Sequence, residues 1–346
     1  MEVQIVNGKE YKLPGSLSKF QKEMYVHLID YKWATLEITE TGKYTYKGEE
    51  IEYDAILPKS VHKNLPLIYN PIKEALIKHQ KHFPFKHHKH FNHMASSQAA
   101  NANLFLPILL SGRANEVLCQ IKDDFKSLET TKLDNGYQIE FWGGIANEIG
   151  FLGDHNARSG TDSDIAIAYR NHKDELCLWL IEHKLTEKEF TECGGSKSDN
   201  RDKSKHICEK SFSEILENKN FCYYHDIRKS NYWKITTENK TFFVNHALHA
   251  SCPFKGGMNQ LWRNQLLGLA IENNKLYEHV YFSVVKHPEN KSLDKSIIQY
   301  KKLINNDARF SVFNSSEVVK AAYTLNDEKL NTWVKWFCCL YLFKTN

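Results

Sequence analysis

Two apolar runs of strand length, residues 165–169 (Ile-Ala-Ile-Ala-Tyr) and 176–181 (Leu-Cys-Leu-Trp-Leu-Ile), flank the polar stretch 170–175. The pattern predicts two strands joined by a hairpin turn. Side chains alternate faces along a strand, so Leu176, Leu178, Leu180, Glu182 and Lys184 share one face and Cys177, Trp179, Ile181 and His183 the other. A strand apolar on both faces belongs inside a sheet. Elsewhere Leu17, Phe20, Met24 and Leu28 fit one helix face, and residues 44–46 and 51–53 flank Lys47-Gly48 as a second hairpin. A helix is predicted over 72–82. Residues 96–125 read as mainly helical, interrupted near Pro107 and Ser111-Gly112, with Val117, Leu118, Ile121 and Phe125 as an apolar stripe. A strand over 137–142, a helix over 258–272, a strand over 278–286 and helices over 293–304, 316–324 and 327–342 follow. Residues 187–256 are polar, lack strong periodicity and read as an insertion able to cover a substrate.

Chemistry enters at the ends of the two central strands. Asp164 opens the first; Glu182 and Lys184 close the second, roughly 6–7 Å apart along the strand. Pairing of the strands can bring Asp164 beside Glu182. Two converging carboxylates repel unless a cation lies between them, and Mg²⁺ suits hard oxygen ligands. It would polarise a phosphoryl oxygen, while Lys184 orients or deprotonates the attacking water or holds the phosphate. An E-x-K pair alone is common on surfaces; the apolar strand leading into it is what gives these charges a reason to be there. Glu140 and Glu148 compete as a further upstream acid, with Glu148, in a short helix-like stretch leading toward Asp164, preferred. Gln260, Arg263 and Asn264 lie at helical spacing opposite Leu261, Trp262, Leu266 and Leu269.

The spacing D-x(17)-E-x-K resembles the PD-(D/E)xK nuclease superfamily. More narrowly, residues 90–290 resemble a family of bacterial restriction endonucleases. The resemblance is carried by Ser96-Ser97-Gln98 with Asn103-Leu104-Phe105, by Gly160-Thr-Asp-Ser-Asp164, by Ile181-Glu-His-Lys184, by Thr191-Glu-Cys-Gly-Gly195 and by Gln260-Leu-Trp-Arg-Asn264. Two departures are His183, where a small apolar residue is usual, and Ser163 in place of proline. The resemblance implies a DNA endonuclease of restriction or phage-defence type using Mg²⁺ or Mn²⁺, with Asp164 and Glu182 as metal ligands. It implies that Lys184 serves the water, that Glu148 or Glu140 completes the acids, and that Gln260 and Arg263 face the scissile phosphate. Its implied partners are DNA, a second copy of the chain, and a methylase or other defence-system protein.

The fold expected is α/β, a central mixed β-sheet flanked by helices with added N-terminal and C-terminal elements. Its expected units are 1–90, a nuclease core over 91–290 carrying the insertion 187–256, and C-terminal helices over 291–346. With 346 residues, 41% hydrophobic and 25% charged, the chain has the make-up of a globular protein. A formal charge of +4 suits nucleic acid if it is concentrated in a groove. Lys86, His87, His88 and Lys89, in a stretch rich in Phe, His and Lys, are candidate phosphate contacts, with Arg263 beside them. The start of the sequence lacks a signal-peptide pattern, and no apolar stretch reaches membrane-span length, so the expected compartment is the cytoplasm. Of eight cysteines, Cys193, Cys208, Cys222 and Cys252 fall in polar, loop-rich sequence and could hold structural Zn²⁺ or an iron–sulfur cluster, although no C-x-x-C spacing supports it. Two other functions stay open: a nuclease acting on RNA or single strands, and a catalytically silent DNA-binding module.

Overall fold

The computed structural model describes residues 2–46, 48–143, 149–155, 160–245, 247 and 249–343. The chain enters through an antiparallel hairpin, β1 (Glu2–Val6) and β2 (Lys9–Leu13), followed by helix α1 (Lys19–Ala34). Ser18 starts that helix with a capping box: its hydroxyl accepts from Gln21 N–H while its own amide donates to Gln21 Oε1. A second hairpin, β3 (Gly42–Tyr46) and β4 (Glu49–Tyr53), precedes α2 (Lys73–His82). Ser96 then caps the buried helix α3 (Ser97–Leu109), which continues into the short α4 (Ala114–Leu118).

The sheet is built from β5 (Phe125–Leu128), β6 (Tyr137–Phe141), β7 (Ser163–Asn171) and β8 (Leu176–Lys184). The short helices α5 (Phe212–Glu217), α6 (Tyr223–Asp226) and α7 (Tyr232–Glu238) lie in the insertion before α8 (Met258–Asn273). Strand β9 (His279–Lys286), helix α9 (Asp294–Leu303), strand β10 (Phe310–Asn314) and helices α10 (Ser315–Tyr323) and α11 (Glu328–Tyr341) close the chain. Six strands form one mixed sheet in the order β10-β9-β8-β7-β5, with β6 also on β7. Strands β5 and β6 share the outer edge of β7, both antiparallel; β7 and β8 form the expected hairpin, and β9 and β10 add in parallel.

Each face of the sheet is covered. Cys177, Trp179 and Ile181 pack with α3, α10, α11 and the N-terminal elements; Leu178 and Leu180 pack with α7, α8 and α9. Each of these buried aliphatic or aromatic side chains stabilises the fold by roughly 1.5–3 kcal/mol. Helix α8 lies close to the sheet because Gly268 has no side chain: a Cβ there would stand 3.1 Å from Val280 Cγ1. The α/β class with a covered central sheet and terminal additions is as expected. Among the described residues no helix is long and apolar enough to cross a membrane.

Two local expectations are corrected. The stripe through Val117, Leu118, Ile121 and Phe125 is not one helix: α4 ends at Leu118, and Phe125 begins β5, paired with Asn171. Tertiary pairing overrides the local period there, although Val117, Leu118 and Phe125 are fully buried. Pro107 does not stop α3, which ends two residues later; the Asn103 carbonyl four residues back, to which a proline cannot donate, accepts from Trp333 Nε1 at 2.8 Å. Strand β10 is an addition at the sheet edge that its short mixed sequence did not announce.

Candidate active site

The strand register places three carboxylates side by side. In the β6–β7 ladder Ile139 pairs with Ile165 and Phe141 with Ser163, so Glu140 stands opposite Asp164. In the β7–β8 ladder Ile165 pairs with Ile181, and the next step along sets Asp164 opposite Glu182. Opposed residues on antiparallel strands hold their Cβ atoms about 4.5–5.5 Å apart. Glu140, Asp164 and Glu182 therefore cross three neighbouring strands in a row, on the face carrying Ala166, Ala168, Leu178 and Leu180, at the sheet end where those strands meet α8. Glu140 holds a left-handed backbone, φ 51°, which costs a non-glycine residue about 1 kcal/mol or more and is a form of strain that collects at functional sites.

Every carboxylate of the row has directed partners. Gln98 Nε2, at the start of α3, donates to Glu140 Oε1 at 2.9 Å. The backbone N–H of His183 donates to Asp164 Oδ2 at 2.6 Å. Gln260 Nε2 and Asn264 Nδ2, one turn apart on α8, donate to Glu182 Oε1 and Oε2 at 2.7 and 2.8 Å. Lys184 Nζ lies 2.8 Å from Glu182 Oε1 in a buried ion pair.

Charge in this row is crowded. Burial first, then Asp162 and Glu182, push the Glu140 carboxyl up to about 8, against the opposing Gln98 bond. Burial and the charges of Glu182 and Glu140 raise Asp164 well above the ordinary carboxylate range. Burial alone would lower the Lys184 ammonium, but Glu182, Glu187 and Asp164 outweigh it and hold it above its ordinary value. Carboxylates that raise one another mark a place where positive charge is in deficit.

A family model described as Restriction Endonuclease associating with ARP matches residues 26–342. The chain belongs to this restriction endonuclease family. No curated protein and no solved structure matches it.

The nuclease surrounds its acid row with a cavity of about 1140 Å³. Lys86, His87, His88, Lys89 and Arg263, the sequence candidates for nucleic-acid contact, all line it, and the first four are exposed. Gln260, expected to face the scissile phosphate, is bonded to Glu182 and also accepts from Thr191 N–H at 3.1 Å, which ties the insertion to the site. Gln21 Nε2 donates to Thr186 O at 2.8 Å, tying α1 to the segment that leaves β8. Of the two competing upstream acids, Glu140 joins the row; Glu148 lies outside the described residues.

Sequence reasoning passed over Asp162. It lines the cavity, accepts from or pairs with His155 Nε2 at 3.2 Å, and is raised by burial and by Asp154 and Glu182 despite that histidine. The signal was present in Gly160-Thr-Asp-Ser-Asp164, where acids two apart fall on one face of an extended chain. The His155 ring is stacked on Trp142 with centroids 3.8 Å apart, and Gly160 is needed beside it, since a Cβ would stand 2.3 Å from its Cδ2. Asn103 plays no part in the cavity: it holds Tyr69 N–H, Leu67 O and the Tyr341 hydroxyl.

Proposed function

We propose that this nuclease is a Mg²⁺- or Mn²⁺-dependent endodeoxyribonuclease of the PD-(D/E)xK type, cutting DNA in a restriction or phage-defence role. The observation that carries the reading is the row Glu140–Asp164–Glu182, in register across three strands, with Lys184 two residues beyond Glu182.

The donor set suits the cation. All three acids offer hard oxygens, and their mutual repulsion is what a divalent ion relieves. Among the described residues no three His, Cys, Asp or Glu side chains already stand at metal-ligating spacing. Mg²⁺ does not need such a cage, since it keeps several waters and takes one or two carboxylates plus substrate phosphate. Bound between Asp164 and Glu182, with Glu140 adjoining, it would polarise a phosphoryl oxygen and acidify a water. Lys184 would orient or deprotonate the attacking water, or hold the phosphate. Gln260 and Asn264 fix both oxygens of Glu182, which keeps that carboxylate aimed.

Lys86, Lys89 and Arg263 supply cations for the DNA backbone. The rings nearby favour backbone contact over base stacking: His87 is already stacked on Phe91 at 3.9 Å, and Tyr44 meets His90 edge to face. With those rings already paired, this reading favours duplex DNA over RNA or single strands, whose recognition relies on free stacking surfaces. A homodimer would bring two sites to the two strands of a duplex. The family's description makes ARP the first partner to look for, beside a methylase, in the cytoplasm.

The test is cleavage of plasmid and phage DNA with Mg²⁺ or Mn²⁺, comparing the wild type with Asp164→Ala and Lys184→Ala. Metal-dependent cutting that both variants lose supports the reading. Cutting only of RNA or single strands moves it to that substrate. Binding that persists without metal and never yields product overturns it in favour of a silent DNA-binding module.

A further inference from the structure

The insertion between β8 and α8 gathers a second set of like groups. Cys193, Cys208, Cys222 and Cys252 come from four separate segments, yet all four line one cavity of about 20 Å³ beneath Trp233, Phe254 and Trp262. None is in a disulfide. The cavity has room for one ion or one water. A cube of four irons and four sulfides needs several times that space.

The surroundings are made for anionic sulfur. Arg201 Nη1 donates to Cys208 Sγ at 3.3 Å, and Lys255 joins the cavity wall. Two cations beside a cluster of thiols favour the anionic sulfur that a metal thiolate carries. Without a cation the same site stays protonated: burial pushes the Cys193 thiol up to about 11, and Cys252, which is influenced by the other three, is raised well above its ordinary value.

We propose that Cys193, Cys208, Cys222 and Cys252 hold one structural Zn²⁺ as a tetrathiolate centre that clamps the insertion against the start of α8. The four thiols release their protons as four Zn–S bonds form, and no electron is transferred. The centre carries two negative charges, which face Arg201 and Lys255. Among the described residues no three potential ligands already stand at ligating spacing. Metal binding would require side-chain rotation that brings the sulfurs to the roughly 3.8 Å separations set by Zn–S bonds of about 2.3 Å. The clamp lies next to the active site, because Thr191, two residues before Cys193, is bonded to Gln260.

The experiment is metal analysis of the full chain purified without chelators, with zinc released by a mercurial and read by a chromogenic chelator. About one zinc per chain is expected, released only as the thiols react. Reduced, metal-stripped protein should take up Co²⁺ with the intense visible bands of a tetrahedral thiolate site. Cys222→Ser and Cys252→Ser should lose the metal and gain protease cuts within 187–256, whereas Cys177→Ser and Cys338→Ser should keep it. If the first pair fails to fold, the wild-type stoichiometry and cobalt spectrum still decide. Wild-type protein that contains no zinc and takes up neither Zn²⁺ nor Co²⁺ overturns the proposal. So does protein that contains iron with acid-labile sulfide. Neither outcome touches the nuclease reading, which is tested by cleavage.

Discussion

The two faces of β8 end in opposite ways. On one, Glu182 and Lys184 are paired with each other and held by Gln260 and Asn264 from α8. On the other, His183 is completely buried and neither ring nitrogen has a hydrogen-bond partner among the described residues. Adjacent residues on one strand thus show a polar group integrated into a site and a polar group simply enclosed. The difference lies in what packs on each face. Helix α8 presents amides toward its face, whereas the opposite face meets the apolar core formed by α3, α11 and the N-terminal elements. Position at a strand end is therefore not enough to identify a working residue; what the facing element presents decides it.

The strongest way to break the comparison is to remove the charge on the working face. Asp164→Asn keeps the shape and still accepts from His183 N–H, but withdraws a hard ligand. It should lower cleavage by about a thousandfold or more, measured as single-turnover plasmid nicking. Lys184→Ala should fall as far, but it leaves Glu182 buried without its ion-pair partner. That loss costs about 3–5 kcal/mol, so its folding must be followed by circular dichroism. An Asp164→Asn protein that folds and cuts normally would place the chemistry elsewhere.

Glu140→Gln sharpens the comparison along the row itself. It should reduce cleavage by about ten- to a hundredfold, less than Asp164→Asn, because Mg²⁺ needs only one or two carboxylates. Its stability has a distinctive pH dependence. Glu140 is raised from an ordinary 4.5 to about 8 in the folded chain. Between those values the folded state holds more protons than the unfolded one, so metal-free stability falls as pH rises from 4.5 toward 8. Thermal unfolding in chelator should show that slope in the wild type and a flatter one in Glu140→Gln. Gln260→Ala should act more weakly still, by about tenfold, since Asn264 continues to hold the other oxygen of Glu182.

The reasons for what was readable in the sequence are physical. The β7–β8 hairpin and the places of Asp164, Glu182 and Lys184 were legible because alternation and apolar runs are local signals. Gln260 and Asn264 were legible as one helix face, though not as the two donors to Glu182, which depends on how α8 lies across β8. The row through Glu140 was not readable, because it depends on β6 pairing with β7 in one register, a contact between distant segments. Preference for Glu148 followed a local helical pattern, and that residue lies outside the described residues. Phe125 misled because its helical spacing is overridden by a strand partner, Asn171. The four cysteines were legible only as thiols sharing one polar insertion, because no C-x-x-C spacing ties them together.

The smallest effect should come from His183→Leu, and it bears on the comparison most directly. The site uses the His183 backbone amide, which donates to Asp164, and a substitution leaves that amide in place. The imidazole contributes only its volume. Burial, with Lys184 and His287, holds the ring neutral by lowering it from 6.5 to about 3. Below 6.5 the unfolded chain binds a proton that the folded chain refuses, so wild-type stability falls as pH drops from 6.5 toward 3. Leucine removes both that dependence and two unsatisfied nitrogens. His183→Leu should therefore be more stable by about 1–2 kcal/mol at neutral pH, with a flatter acid limb and unchanged cleavage. If cleavage instead collapsed while the variant stayed folded, the side chain would be acting through the sheet on Asp164. The two faces of β8 would then form one site.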